Sequence, residues 1–263
     1  MKVFTKILLL GLLLIVAAPV HGQAPTTADD YYNRGIARGK SGDLDGAIAD
    51  FSKVIEIEPR DAQAYYNRGY ARQLKKDFGG AIADYTKYIE IEPLDPDGYN
   101  NRGNARRNKG DFDGAIADLN KAIEIDSRYA RAYYNRGFAL QAKGDLDGAI
   151  AQYTKYIELE PTDVDGYGKL AWVLATTPRD SNRDGKKAVA YALKAAELSK
   201  WEEGGVLDTL AAAYAESGNF DEAIKWENKA LSISGFARTS GDEARKRLLL
   251  YTARRPYHEP PLK

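Results

Sequence analysis

Small and apolar residues fall on two alternating helical stripes along most of this chain. Between Asp61 and Pro93, the residues Ala64, Tyr65, Arg68, Gly69 and Arg72 recur at the three- and four-residue steps of one helix face. After the break "KKDFGG", Ala81, Ile82, Tyr85, Tyr88 and Ile89 mark a second face. The equivalent breaks "SGDLDG" and "KGDFDG" supply turn and N-cap residues. Two helices of about 13 residues cannot bury such stripes alone, so each pair must stack on its neighbours.

The pattern is periodic. "YYNRG" at residue 31 returns at 65, as "YNNRG" at 99 and again as "YYNRG" at 133, each 34 residues on. Ala47, Ala81, Ala115 and Ala149 keep the same step, and Pro59, Pro93 and Pro161 close three of the units. Gly35, Gly69, Gly103 and Gly137 sit inside the first helix of each unit. A glycine there costs roughly 1 kcal/mol against alanine, which implies the close approach of another helix. With the tyrosine as position 4, units run over 28–61, 62–95, 96–129, 130–163, 164–202 and 204–234. Ala149 to Ala188 is 39 residues, so the fifth unit carries a lengthened loop in "TTPRDSNRDG". Beyond "SISGFARTSG", the stretch "DEARKRLLLYTARR" is amphipathic. Residues 235–254 are therefore expected to form a linker and a capping helix, with 255–263 a disordered tail.

The 34-residue length, with Gly and Ala 12 apart and a closing proline, resembles the tetratricopeptide repeat. The sixth unit is similar to that pattern through Leu207, Leu210, Ala211, Tyr214, Gly218, Phe220, Ala223 and Ala230. Its phrase "LDTLAAAYAE", with "LAWVLAT" before it, resembles the closing module of exported bacterial members. The resemblance implies an all-α, right-handed superhelical solenoid of antiparallel helix pairs, whose first helices line a concave groove for protein partners. It further implies that positions 5, 9 and 12 face that groove. These are Tyr32, Tyr66, Asn100 and Tyr134; Ile36, Tyr70, Asn104, Phe138 and Trp172; and Gln73, Arg107 and Gln141. Amides can bond the backbone of an extended peptide while rings cover its side chains. Packing between adjacent units is the competing role for the tyrosines. The family's carboxylate clamp is incomplete: Asn104, Asn135 and Lys169 fit it, but Asn100 and Asp165 stand where lysines belong.

Comparing the internal copies separates the arginines. Position 7 holds Arg34, Arg68, Arg102 and Arg136, then Leu170 and Leu210, while position 23 holds Asp50, Asp84, Asp118, Gln152, Tyr191 and Trp226. Arginine goes with an acid and leucine with an aromatic. The pattern predicts structural ion pairs Arg34 to Asp50, Arg68 to Asp84 and Arg102 to Asp118 across each hairpin. Arg136, facing Gln152, is left as the member open to an outside anion.

Composition removes several classes. The chain has 38 basic and 38 acidic residues, so no net charge draws it to nucleic acid or an anionic membrane. Lys2 and Lys6, the apolar run from Ile7 to Ala18 and the ending "PVHG" have the layout of a secretory signal peptide over residues 1–22. A linker over 23–27 would then begin the exported chain. Read through to Val20, the apolar run has 14 residues, short of the roughly 18 to 20 that span a bilayer. An uncleaved anchor is the alternative. There is no cysteine, and after cleavage His258 is the one histidine. Nucleophile systems built on Cys-His or Ser-His-Asp, and the usual zinc sites, lack their parts.

Two acidic patterns are set aside. "GDLDGAIAD" echoes a calcium loop, but its twelfth position is Ser52 rather than a chelating glutamate, and helix capping explains these acids better. The acids of "IEIEP" lie two apart on a helix and point to different faces. The expectation is a non-catalytic scaffold in the periplasm or outside the cell, without cofactor or metal, binding a protein or peptide. A self-associating assembly accessory and a carboxylate- or tyrosine-based enzyme remain the alternatives.

Overall fold

The computed structural model describes residues 26–260. The signal-peptide reading and most of the 23–27 linker lie outside them. Six antiparallel helix pairs follow one another: α1 Ala28–Ser41 with α2 Leu44–Ile57, α3 Ala62–Leu74 with α4 Phe78–Ile91, and α5 Pro96–Lys109 with α6 Phe112–Ile125. Then come α7 Ala130–Lys143 with α8 Leu146–Leu159, α9 Val164–Thr176 with α10 Gly185–Leu198, and α11 Gly204–Glu216 with α12 Phe220–Ser232. Each second helix packs on the first helix of the next pair, which makes a solenoid with no strand among the described residues.

The turns form because the acids cap. Asp43, Asp77, Asp111 and Asp145 each accept from the backbone N–H three residues on, at 2.9 Å, starting α2, α4, α6 and α8. The acidic turns are thus spent on helix termini. The alanines Ala47, Ala81, Ala115, Ala149, Ala188 and Ala223 are wholly buried in the second helices. On the first helices glycine is needed for the same reason: a Cβ on Gly137 would lie 2.5 Å from the Tyr153 ring.

The lengthened fifth loop, residues 177–184, ends α9 and contains one short 3-10 turn, Asp180–Asn182. It is tied to both neighbours. Asn182 donates to Asp147 of the fourth pair, and Arg183 Nε donates to Glu216 of the sixth at 2.8 Å.

The C-terminal region departs from the single capping helix expected. It forms two helices, α13 Ser234–Thr239 and α14 Gly241–Thr252. α14 covers α12, where Tyr251 is fully buried beside Ala211, Ala215 and Ala223. It also reaches inward to the first helices, through Arg247 against Asp208 of α11 and the Trp172 ring of α9.

Candidate functional site

The arginine ladder lies between helices, away from the groove. Arg34 Nε donates to Asp50 at 2.8 Å, Arg68 Nη2 to Asp84 at 2.7 Å and Arg102 Nη2 to Asp118 at 2.7 Å. A second arginine, one turn on, holds each of these carboxylates as well: Arg38 at 2.9 Å, Arg72 at 2.8 Å and Arg106 at 2.7 Å. The three aspartates are buried, so two guanidiniums replace the water each has lost. Arg68 and Arg102 also donate to Ser52 and Thr86 on the second helix of the preceding pair, at 3.0 and 3.1 Å. The ladder therefore joins units as well as closing hairpins.

Arg136 occupies the same place. Its guanidinium donates to Gln152 on α8 and to Asn120 on α6, the latter at 2.6 Å, and lies 5.4 Å from the Tyr133 ring. This corrects its assignment as a groove residue. Its acceptors sit on second helices, and burial lowers its pKa without supplying an anion.

A second ladder runs through positions 5 and 6. Asn67 donates to the Tyr32 hydroxyl at 2.9 Å, Asn101 to that of Tyr66 at 2.8 Å and Asn135 to the Asn100 carbonyl oxygen at 2.8 Å. Tyr66 also packs its ring on Tyr85 and Tyr88. Burial, with Asp97 nearby, pushes its phenol up to about 12. Asn100 is only 4% exposed, which removes it from the groove surface. Its short side chain is consumed by Asn135. Tyr32 and Tyr66 remain half-buried and serve mainly as links between units.

The remaining positions leave chemistry open. Tyr70 is 51% exposed. The side-chain carbonyl oxygens of Gln73 and Asn104 are buried, with no hydrogen-bond partner among the described residues. Gln141 accepts from the Tyr153 hydroxyl at 3.1 Å. Phe138 carries two cations, with Lys169 Nζ 4.5 Å and the Arg107 guanidinium 5.1 Å from its ring centroid. Burial lowers the pKa of both. Tyr134 packs beside them, 5.0 Å from Phe138 and 4.8 Å from Tyr156.

Toward the C-terminus the face holds an open pocket of about 630 Å³ between α7, α9, α11, α13 and α14. Tyr134, Phe138, Trp172 and Phe236 give it aromatic walls, and Lys169 and Arg247 give it charge. Behind it Arg247 donates to Asp208 Oδ1 at 2.9 and 2.6 Å, while Glu227 lies 3.6 Å from Arg247 Nε and is wholly buried. Burial and the charge of Asp208 hold the Glu227 carboxyl well above the usual carboxylate range, which favours its neutral form. Among the described residues no three His, Cys, Asp or Glu are grouped to hold a metal.

Residues 255–260, expected as the start of a disordered tail, lie against α9 and α11. The Glu259 backbone N–H donates to the Thr176 carbonyl at 2.7 Å, and Trp172 Nε1 donates to the Glu259 carboxylate at 2.7 Å. The Tyr257 ring lies tilted against Trp172, 6.2 Å between centroids, and His258 Nε2 pairs with Glu216 at 2.7 Å. Trp172 is therefore a groove residue already covered by the chain's own end.

Models described as TPR repeat or tetratricopeptide repeat match residues 37–76, 62–93, 84–117, 103–144, 130–163 and 205–235. The chain belongs to the tetratricopeptide repeat family. Among solved structures, this tetratricopeptide chain is similar to PilW, described as a widely conserved type IV pilus biogenesis factor. That likeness has 17% identity, a TM-score of 0.68, and covers 80% of this chain and 94% of PilW. It is also similar to MamA from Desulfovibrio magneticus RS-1, with 20% identity and a TM-score of 0.59 over 66% of this chain and 96% of that one. A third likeness is to YrrB, described as a TPR protein with an unusual peptide-binding site. It has 20% identity and a TM-score of 0.55 over 73% of this chain and 97% of YrrB. At these identities the likeness is one of fold. No curated protein matches the chain.

Within the tetratricopeptide frame, Arg38, Arg72 and Arg106 are residues that reading by positions 7 and 23 overlooked. Their signal was present: position 11 is arginine in the three units with an aspartate and becomes Leu140 in the unit with Gln152. Glu227 and the docked tail carried no such signal.

Proposed function

We propose that this tetratricopeptide protein is an exported, non-catalytic scaffold that holds an extended segment of a partner protein along its first helices. The observation that carries this reading is the pair of buried, unpartnered acceptors on Gln73 and Asn104, at groove positions of adjacent units and near exposed Tyr70. A buried carbonyl without a donor costs about 1–3 kcal/mol; both residues are only partly buried as a whole, and with their amides turned outward they would meet the N–H groups of an extended peptide backbone. The peptide-binding site named for YrrB and the pilus biogenesis named for PilW are in keeping with such a use of the fold. The signal-peptide layout of residues 1–22 supports action in the cell envelope or outside the cell, and among the described residues no helix is long and apolar enough to cross a membrane.

The test is capture of partners from an envelope extract by the wild type and by a Tyr70→Ala, Gln73→Ala, Asn104→Ala variant, with thermal melts of both. The variant should lose the partners while its melt stays close to that of the wild type. An unchanged partner set would remove the groove from the account.

A further inference from the structure

The chain's own segment Pro256–Pro260 lies against α9 and α11, with Tyr257 and Glu259 on Trp172 and Thr176 and His258 on Glu216. This segment has no regular secondary structure, and Arg255 and Glu259 each precede a proline, which biases them to extended backbone. In extended chain, alternate side chains point opposite ways. Here Tyr257 and Glu259 meet α9, while His258 turns to Glu216 of α11. Glu259 is held twice, by Trp172 Nε1 on its carboxylate and by the Thr176 carbonyl on its backbone N–H, both at 2.7 Å. Thr176 belongs to the last turn of α9, where carbonyls have no helical partner. The Arg247 guanidinium lies 5.5 Å from the Trp172 ring and 5.6 Å from Tyr257, so cation and rings form one recognition surface. Arg183, from the lengthened loop of the fifth unit, donates to the same Glu216 at 2.8 Å.

We infer that the Trp172–Thr176 corner is a docking site for an extended aromatic-X-acid segment of a partner protein, and that Tyr257-His258-Glu259 is an internal copy of that segment which the partner displaces. The inference rests on the peptide-groove reading and gives the partner its chemistry. A tethered segment faces its site at an effective concentration of about millimolar, so a free peptide competes poorly until the tether is weakened.

The test uses the full chain and a fluorescein-labelled peptide RRPYHEP, identical to residues 254–260. Wild type should show no saturable binding below about 1 mM, and a Tyr257→Ala, Glu259→Ala variant should bind at least about tenfold tighter. The control peptide RRPAHAP should not bind that variant, and adding Trp172→Leu should abolish its binding of RRPYHEP. Glu259→Ala alone, with the Trp172 indole N–H followed by NMR, gives a second readout. That resonance should move in the variant and return toward its wild-type position when RRPYHEP is added. Failure of both variants to bind the peptide, or equal binding of the two peptides, overturns the inference. If the peptide binds while the Tyr70, Gln73, Asn104 variant keeps its partners, the corner stands and the wider groove reading fails. Loss of those partners without peptide binding gives the reverse.

Discussion

Arg72 Nη1 lies 2.8 Å from Asp84, a carboxylate already held by Arg68 at 2.7 Å. The arrangement recurs on Asp50 and Asp118, so each of the first three units has two cations converging on one buried acid. Removing the acid strands both. Asp84→Ala should destabilise by about 3 kcal/mol, the low end for a broken buried pair because both arginines keep some solvent contact. Urea denaturation measures it, and a loss below about 0.5 kcal/mol would show that the pairing is only a surface contact.

The fourth unit offers the converse. Leu140→Arg alone places a second cation near Arg136 with no carboxylate to share, and should destabilise. Gln152→Asp supplies the acid. The double substitution should recover stability, with a coupling energy of about 1–2 kcal/mol in a double-mutant cycle. Additive effects would mean that positions 11 and 23 changed together by accident.

Much of this is legible in the sequence, because packing imposes a period. The glycines, the buried alanines and the pairing of positions 7 and 23 follow from helices that must stack at fixed spacing. Arg38, Arg72 and Arg106 escaped because an arginine at the end of a helix stripe looks like a solvated charge until its acceptor is seen. Asn100 departs from the groove expected of it because position in the repeat gives direction, while reach depends on side-chain length. The fold-back of α14 and the docking of Tyr257 to Glu259 depend on single contacts between distant parts of the chain, which leave no period to read.

Glu227 predicts a pH dependence. Its folded pKa lies well above its unfolded value near 4.5, so the folded state holds the extra proton between them. Stability contributed by the neutral acid falls as pH rises through that window. Asp208 is raised as well and acts in the same direction. The melting temperature should be higher near pH 5.5 than near pH 8.5, and Glu227→Gln should flatten the difference. A variant as pH-sensitive as the wild type would place the titrating group elsewhere.

Two glycines separate packing from propensity. Gly137→Ala would press a methyl to 2.5 Å from Tyr153 and should destabilise, whereas a Cβ at Gly168 on α9 meets nothing within 4 Å. Gly168→Ala should stabilise by up to about 1 kcal/mol, as alanine does in a helix. Thermal melts of the two single variants check the sign of each.

The central claim is that a partner lies along the first helices beside Tyr70, Gln73 and Asn104. Photo-crosslinking reads this most directly, with a benzophenone amino acid at Tyr70 in one chain and at Lys87, exposed on the second helix α4, in another. The account predicts a partner adduct from position 70 and none from position 87. Adducts of equal yield from both, or from position 87 alone, would contradict it.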